Sequence, residues 1–247
     1  FIIMKKIIVG NWKMNPDTIE EAEKIAREVE KTASKLKNIE AVICPPFIYI
    51  SYISNIPGLK LGAQDVSVES GTGAHTGEVS ASMLKQLGVD YVIIGHSERR
   101  AMGETNEIIN KKTKAALEAG LKVIFCVGEK ERDTEGRFLD FIKEEIEDGF
   151  KGIEKNLLKD IIIAYEPVWA ISSGEKFEPD DPVSVLKITS FIKKILMPLP
   201  ILYGGSVSAA TVEGFLKRGG IQGLLIGGKS LIPEEFNQIL EIADQES

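Results

Sequence analysis

The chain has 247 residues, of which 43% are apolar and 27% charged, an ordinary composition for a globular protein with a large buried core. Its formal net charge of -7 argues against general binding to nucleic acids or membrane surfaces, and no apolar run is as long as a membrane-spanning helix. The two cysteines, Cys44 and Cys126, are too few for a disulfide framework and fit no zinc spacing, so we expect both to be reduced and buried in a cytoplasmic protein.

Short apolar, β-branched runs alternate with amphipathic segments along the whole chain. The apolar runs predict strands at residues 7–10, 41–44, 59–64, 91–95, 122–127, 161–166, 200–204 and 223–227. The helical spacing of apolar residues predicts helices at residues 19–36, 49–54, 80–87, 106–119, 138–150 and 182–196, and one more after each of the last two strands. The turn Asn15-Pro16-Asp17 is expected to cap the first helix, and Gly120 to end the fourth.

This order of elements predicts eight βα units. Near-continuous apolar strands separated by amphipathic helices are typical of a parallel sheet covered on both faces. Eight units in a chain of this length favour a single-domain α/β fold, the TIM (β/α)8 barrel, with parallel strands inside and helices outside. The pattern leaves a doubly wound open sheet as an alternative. We assign residues 4–247 to the barrel catalytic domain and interpret residues 1–3, which precede Met4, as a leader or cloning remnant.

The stretch that ends the sixth predicted strand has the features of a catalytic site. The strand stops on a carboxylate, Glu166, and is followed by Pro167, which cannot donate a hydrogen bond to a sheet. The small residues Ser172-Ser173-Gly174 come shortly afterwards. We interpret the stretch as a base beneath a movable cover. For an isolated Glu-Pro pair, a strand that ends on a solvated Glu is the alternative.

Polar residues and glycines also follow other predicted strands. In a barrel, the active site forms where the C-terminal ends of the strands meet. The residues predicted at those ends are Asn11, Lys13, His96, Glu166, Ser206, Gly227 and Gly228. Lys13 offers a positive charge that the amide of Asn11 can orient. His96 precedes a predicted helical turn whose positive end disfavours imidazolium, and Glu98 is expected either to support His96 or to cap that turn.

Two glycine pairs follow the last two predicted strands, in Gly204-Gly205-Ser206 and in Gly227-Gly228. Glycines let backbone N–H groups approach an anion, and the loops at these two positions of a barrel often bind phosphate. We therefore predict a phosphate site.

Residues 223–230 also match the P-loop pattern of nucleotide-binding proteins. Their Leu-Leu-Ile centre belongs in a strand, and Pro233 follows too soon for a long helix, so nucleotide binding is the weaker alternative.

A carboxylate base, a neutral imidazole, a lysine and a phosphate site suit proton removal beside the carbonyl of a small phosphorylated sugar. The developing enediolate would be stabilised by Lys13 and His96. We find no metal-binding or cofactor motif and predict neither a metal nor a cofactor. A catalytically weak barrel used as a scaffold is an alternative. An aldolase would need a Schiff-base lysine near a strand end, whereas Lys60 and Lys122 lie near strand starts.

Five motifs occur in order along the chain: GNWKMN at residues 10–15, GHSERR at 95–100, AYEPVWAI at 164–171, YGGSV at 203–207 and GG at 227–228. With these motifs the chain resembles the triosephosphate isomerase family. The resemblance implies a homodimeric, possibly larger, enzyme of glycolysis and gluconeogenesis. It would interconvert dihydroxyacetone phosphate and D-glyceraldehyde 3-phosphate. Glu166 would be the general base, His96 the neutral electrophile and Lys13 the electrostatic stabiliser, with Asn11 beside it.

The resemblance also implies roles for residues outside this central group. Those expected to bind phosphate are Ser172, through its N–H, and Ser206, Gly227 and Gly228. Those expected in the cover, or pressing on Glu166, are Pro167, Val168, Trp169, Ile171 and Leu225. His75 and Thr76 would enter a partner subunit. The chain departs from the usual family pattern at Ser172-Ser173-Gly174, usually Gly-Thr-Gly, at His75, often an aromatic residue, and at Lys229, often a small one.

Overall fold

The computed structural model describes residues 5–171, 180–196 and 199–247. The strands are β1 (Lys6–Asn11), β2 (Ile39–Cys44), β3 (Lys60–Ala63), β4 (Tyr91–Ile94), β5 (Lys122–Val127), β6 (Ile161–Tyr165), β7 (Ile201–Tyr203) and β8 (Gly223–Ile226). The α-helices are α1 (Ile19–Ala33), α2 (Phe47–Ile53), α3 (Ala81–Gln86), α4 (Ser97–Ala101), α5 (Asn106–Glu118), α6 (Arg137–Gly149), α7 (Pro182–Ile195), α8 (Val212–Arg218) and α9 (Pro233–Gln245).

The eight strands form a closed parallel barrel in chain order. The closing contact is between β1 and β8, where Ile8 lies opposite Leu224, while on its other side Ile8 lies opposite Ala41 of β2. This closure confirms the predicted barrel and excludes the open-sheet alternative, whose first and last strands would not pair. The C-terminal ends of all eight strands therefore meet at one rim of the barrel.

Side chains alternate along each strand between the barrel interior and the layer beneath the helices. In β1, Ile7 and Val9 belong to the interior cluster, whereas Ile8 packs in the outer cluster with helix residues such as Ile25 and Phe236. Both sides of the strands are thus buried and apolar, which explains why the strands are near-continuous apolar runs in the sequence. The interior cluster fills the barrel below the rim.

The first helix differs from its predicted boundaries. Thr18, one residue beyond the turn Asn15-Pro16-Asp17 that was predicted to cap α1, is its N-cap, because its side chain accepts a hydrogen bond from the backbone N–H of Glu21 at 3.2 Å. The helix ends at Ala33 and not at residue 36, although Leu36 still packs against the core. Its buried face carries Ala22, Ile25, Ala26 and Val29, at the spacing expected for a helix lying on a barrel.

The P-loop interpretation is inconsistent with the structure of residues 223–230. Gly223–Ile226 is strand β8, and Gly228–Leu231 is a short 3-10 turn, so the residues between the pattern's glycines do not form a loop.

Both cysteines, Cys44 and Cys126, are buried and free. In the part of the chain that the structure describes, no helix has the length and apolar character needed to cross a membrane.

Candidate active site

Glu166 follows directly after β6 and continues the alternation of Ile162 and Ala164, so its side chain turns into the barrel mouth. Only 2% of the residue is exposed. One carboxylate oxygen, Oε1, accepts a hydrogen bond from the Sγ–H of Cys126 at 2.9 Å. The other, Oε2, accepts one from the Oγ–H of Ser97 at 3.4 Å. Burial, together with the negative charge of Glu166, raises the pKa of the Cys126 thiol well above its ordinary value, so the thiol stays protonated as a donor.

His96 faces Glu166 because the chain turns at Gly95. Gly95 has a φ of +73°, a left-handed conformation that breaks the strand alternation after Ile94. The Nε2 atom of His96 lies 3.5 Å from Oε2 of Glu166. On the opposite side of the ring, Nδ1 accepts a hydrogen bond from the backbone N–H of Glu98 at 3.2 Å. A ring nitrogen that accepts carries no proton, so this geometry corresponds to neutral imidazole with its proton on Nε2.

Lys13 reaches the same site in an unusual backbone conformation, with a φ of +54°. Its N–H donates to Oδ1 of Asn11 at 3.0 Å, and its carbonyl accepts from Nε2 of Gln64 at 2.7 Å, so both sides of the strained residue are held. The Nζ atom of Lys13 lies 2.6 Å from Oε1 of Glu98. Glu98 thus contacts both the lysine, through its side chain, and His96, through its backbone.

These side chains share one cleft of about 450 Å³. Its lining consists of Asn11, Lys13, His96, Glu166, Ile171, Gly204, Gly205, Ser206, Val207, Leu225, Ile226, Gly227, Gly228 and Lys229. The structure therefore brings together all the predicted rim residues, and both glycine pairs border the cleft. A methyl group added to Gly204 would lie 2.6 Å from Cγ of Glu166, so this glycine leaves space for the carboxylate side chain.

The family model of triosephosphate isomerase matches residues 6–243, nearly the whole chain. The chain belongs to the triosephosphate isomerase family. The family recognised from the sequence motifs is therefore confirmed.

Curated proteins with the name triosephosphate isomerase are similar to the chain over almost their full length. The protein from Natranaerobius thermophilus is 43% identical over 248 residues, which cover 97% of this chain and 96% of that protein. The protein from Dictyoglomus turgidum is 42% identical, covering 96% of this chain and 98% of its own. The protein from Aquifex aeolicus is 41% identical, covering 96% of this chain and 99% of its own.

The segment after Glu166 begins the predicted cover. Pro167 is buried, and Val168–Ala170 form a 3-10 turn that ends at Ile171 on the cleft wall. The turn is anchored by Glu129, whose carbonyl accepts from the N–H of Val168 at 3.0 Å. Its carboxylate accepts from Nε1 of Trp169 at 3.3 Å. Ser172 and the rest of the predicted cover lie outside the described residues.

Glu129 and the polar cluster around it were not predicted from the sequence. Arg132 donates to Glu129 at 2.7 Å and to Asp180 at 2.8 Å, and it lies over the ring of Trp169 at 4.6 Å. The buried hydroxyl of Tyr165 donates to Glu129 at 2.9 Å and accepts from Arg132 at 2.8 Å. The cluster joins segments far apart in the sequence. Its only signal was that charged residues follow β5 on the rim side of the barrel.

A second cleft opens next to the first and shares Asn11, Lys13 and His96 with it. It measures about 810 Å³, and its other walls include Met14, Phe47, Gln64, Glu98 and Met102. Met14 is 92% and Met102 77% exposed, an unusual state for large apolar side chains.

His75 and Thr76, predicted to contact a partner, are exposed in the chain and line neither cleft.

Proposed function

We propose that the chain catalyses the interconversion of dihydroxyacetone phosphate and D-glyceraldehyde 3-phosphate by proton transfer through an enediolate. The observation that carries the proposal is the facing pair of Glu166 and His96, with Oε2 and Nε2 3.5 Å apart, in a cleft bordered by two glycine pairs. Membership of the triosephosphate isomerase family supports the same reaction. In this proposal the enzyme acts in glycolysis and gluconeogenesis.

Glu166 is the general base. Its carboxylate removes a proton from the carbon beside the substrate carbonyl and returns it to the neighbouring carbon. Burial strips water from this carboxylate, and the donors Cys126 and Ser97 hold it in place. His96 acts as the neutral electrophile, donating from Nε2 to the oxygen on which negative charge develops.

Lys13 is the electrostatic stabiliser of the enediolate, and Asn11 orients it through the hydrogen bond from the Lys13 N–H. Glu98 holds the ammonium group of Lys13 at 2.6 Å before substrate binds. The same residue's backbone N–H keeps His96 in the required tautomer. Glu98 thus supports both electrophilic groups without reacting itself.

The phosphate of the substrate binds at the glycine-bordered end of the cleft. Gly227 and Gly228 allow their backbone N–H groups to approach the anion, and Ser206 contributes beside them. The Ser206 N–H donates to Ala170 at 3.1 Å, so in this conformation the hydroxyl is the group that meets phosphate. In this proposal the backbone N–H of Ser172 also donates a hydrogen bond to the phosphate.

The cover excludes water from the intermediate. Pro167, Val168 and Trp169 join the cover to the barrel, and the contacts of the latter two with Glu129 fix that junction. Ile171 and Leu225 line the cleft with Glu166 and press on its side chain, which limits the positions that the carboxylate can take.

We further propose that the chain forms a cytoplasmic homodimer. The exposed side chains of Met14 and Met102 border the second cleft, and a loop from a second copy placed there would cover this apolar surface. The exposed residues His75 and Thr76 belong to the inserted loop in this proposal. Light scattering should give twice the chain mass of 27.1 kDa, and the M14E variant should shift the mass towards the monomer. A wild-type monomer at micromolar concentration would contradict the dimer.

The test of the activity is a coupled isomerase assay on the purified protein. Glu166→Gln should lower kcat by roughly 10²–10⁴-fold, the range typical of a lost general base. Glu147→Gln, on the exposed face of α6, is the matched control and should retain wild-type activity. Wild-type protein without activity would instead support the scaffold alternative, and near-normal turnover of E166Q would refute the assigned base.

A further inference from the structure

A part-buried arginine and a buried glutamate form an ion pair in the wall of a cavity that Glu166 also lines. Glu145, on α6, is 1% exposed, and its Oε1 lies 3.2 Å from Nη1 of Arg100, on α4. The wall of the same cavity, of about 640 Å³, contains the apolar residues Val127, Phe141 and Val168 and the charged residues Lys130 and Glu166. A buried ion pair is a weak source of stability, because the desolvation of both charges offsets their attraction. The hydrogen bonds that Arg100 and Glu145 make to the backbone indicate a different role for the pair.

Arg100 bonds to the backbone at the ends of two adjacent strands. Its Nε donates to the carbonyl of Gly95 at 2.8 Å, and its Nη2 donates to the carbonyl of Cys126 at 3.3 Å. Gly95 is the residue whose positive φ turns His96 towards the cleft, and Cys126 is the residue whose thiol binds Glu166. One planar guanidinium thus fixes the distance between the two strand ends.

Glu145 bonds to Gly128, the residue that packs against the backbone of Glu166. Its Oε2 accepts the N–H of Gly128 at 3.0 Å. Gly128 packs so closely against the carbonyl of Glu166 that an added Cβ would collide with it. A shift of Gly128 would therefore be transmitted to the backbone of Glu166 without an intervening flexible side chain.

From these contacts we infer that Arg100 and Glu145 are positioning residues, which hold the ends of β4 and β5 so that His96 and Glu166 face each other at reacting distance. The inference rests on the proposed function. Neither residue lines the substrate cleft, so neither contacts the substrate. Their loss should lower the rate of the chemical step and leave phosphate binding unchanged, since a misplacement of about 1 Å can cost about 100-fold in rate.

The test replaces both partners, so that no buried charge is left alone. In R100M/E145L, kcat should fall about tenfold to a hundredfold, while KM and the inhibition constant of inorganic phosphate stay within about threefold of wild type. The control is K60M/D90L, which removes an ion pair at the opposite end of the barrel (Nζ–Oδ2 3.0 Å) and should keep wild-type kcat. Unchanged kcat in a folded R100M/E145L protein would overturn the inference.

If R100M/E145L does not fold, two conservative single variants test the same positioning role. Glu145→Gln keeps an acceptor for Gly128 and should retain at least about half of wild-type kcat. Arg100→Lys keeps the charge but cannot bond to both carbonyls, and it should lose about tenfold in kcat at constant KM. Wild-type kcat in R100K would overturn the inference, as would equal losses in kcat and phosphate affinity. A wild-type protein without isomerase activity would refute the proposed function instead, so the two failures are distinguishable.

Discussion

Gly204 offers a way to displace the carboxylate of Glu166 without changing its chemistry. A methyl group at this position would lie 2.6 Å from Cγ of Glu166, whereas carbon atoms pack at about 3.5–4.0 Å. The backbone of Gly204 lies outside the left-handed region, so alanine is allowed there, and the glutamate side chain must move by about 1 Å. We expect Gly204→Ala to lower kcat about 100-fold, because a displacement of this size misaligns a reacting group.

The assay is steady-state isomerase turnover together with urea unfolding of the same preparation. The side chain of Glu166 can rotate away and lose its bonds to Cys126 and Ser97, so the free energy of unfolding should fall by less than about 2 kcal/mol. Gly214→Ala is the control, because its methyl group would lie at an ordinary 3.7 Å from Pro182, and it should leave kcat unchanged. A folded G204A protein with kcat within about threefold of wild type would refute the reasoning.

Three further predictions concern stability, each measured by urea unfolding. Burial raises the pKa of Glu145 from 4.5 to about 7, so its ionised form costs stability as the pH rises from about 4.5 through 7. Over that window the free energy of unfolding of wild type should fall by up to about 3 kcal/mol relative to that of E145Q, and a difference between the two that does not vary with pH would contradict this. Tyr165→Phe should lose about 1–3 kcal/mol, because it leaves Glu129 and Arg132 short of a buried partner; a loss below about 0.5 kcal/mol would argue against it. Ile93→Ala should cost about 2–5 kcal/mol by opening a cavity inside the barrel, whereas a loss below 1 kcal/mol would mean that the interior collapses around it.

The strands were predictable because burial on both faces makes them apolar throughout. Each of the eight predicted strands overlaps the observed one, with ends that differ by at most two residues, and the bounds of β5 are the same. The residue that caps α1 could not be predicted from the sequence, because Asp17 and Thr18 are both favourable N-cap residues. The geometry of the turn selects Thr18. Closure of the barrel was inferred only from the number of units, because the pairing of Ile8 with Leu224 has no local signal.

The rim residues could be predicted from their position after the strands, but their supporting contacts could not. The hydrogen bond from Cys126 to Glu166 depends on the register of β5 and β6, in which Cys126 lies opposite Ala164. Once that register is known, the contact follows from the alternation of side chains. The bonds of Arg132 and Glu129 depend on side-chain conformations across loops, for which the sequence carries no periodic signal.

The pairing of β1 with β8 also bears on how copies of the chain can associate. An open sheet presents two edges with unpaired N–H and C=O groups, to which another chain can add a strand. In the closed barrel each strand has a neighbour on both sides, so strand addition has no template. The proposed dimer therefore uses side chains on the helices and loops, and Met14 and Met102 are exposed in such positions. In that dimer, substitutions at these two side chains would change the number of subunits while every backbone pairing of the barrel is preserved.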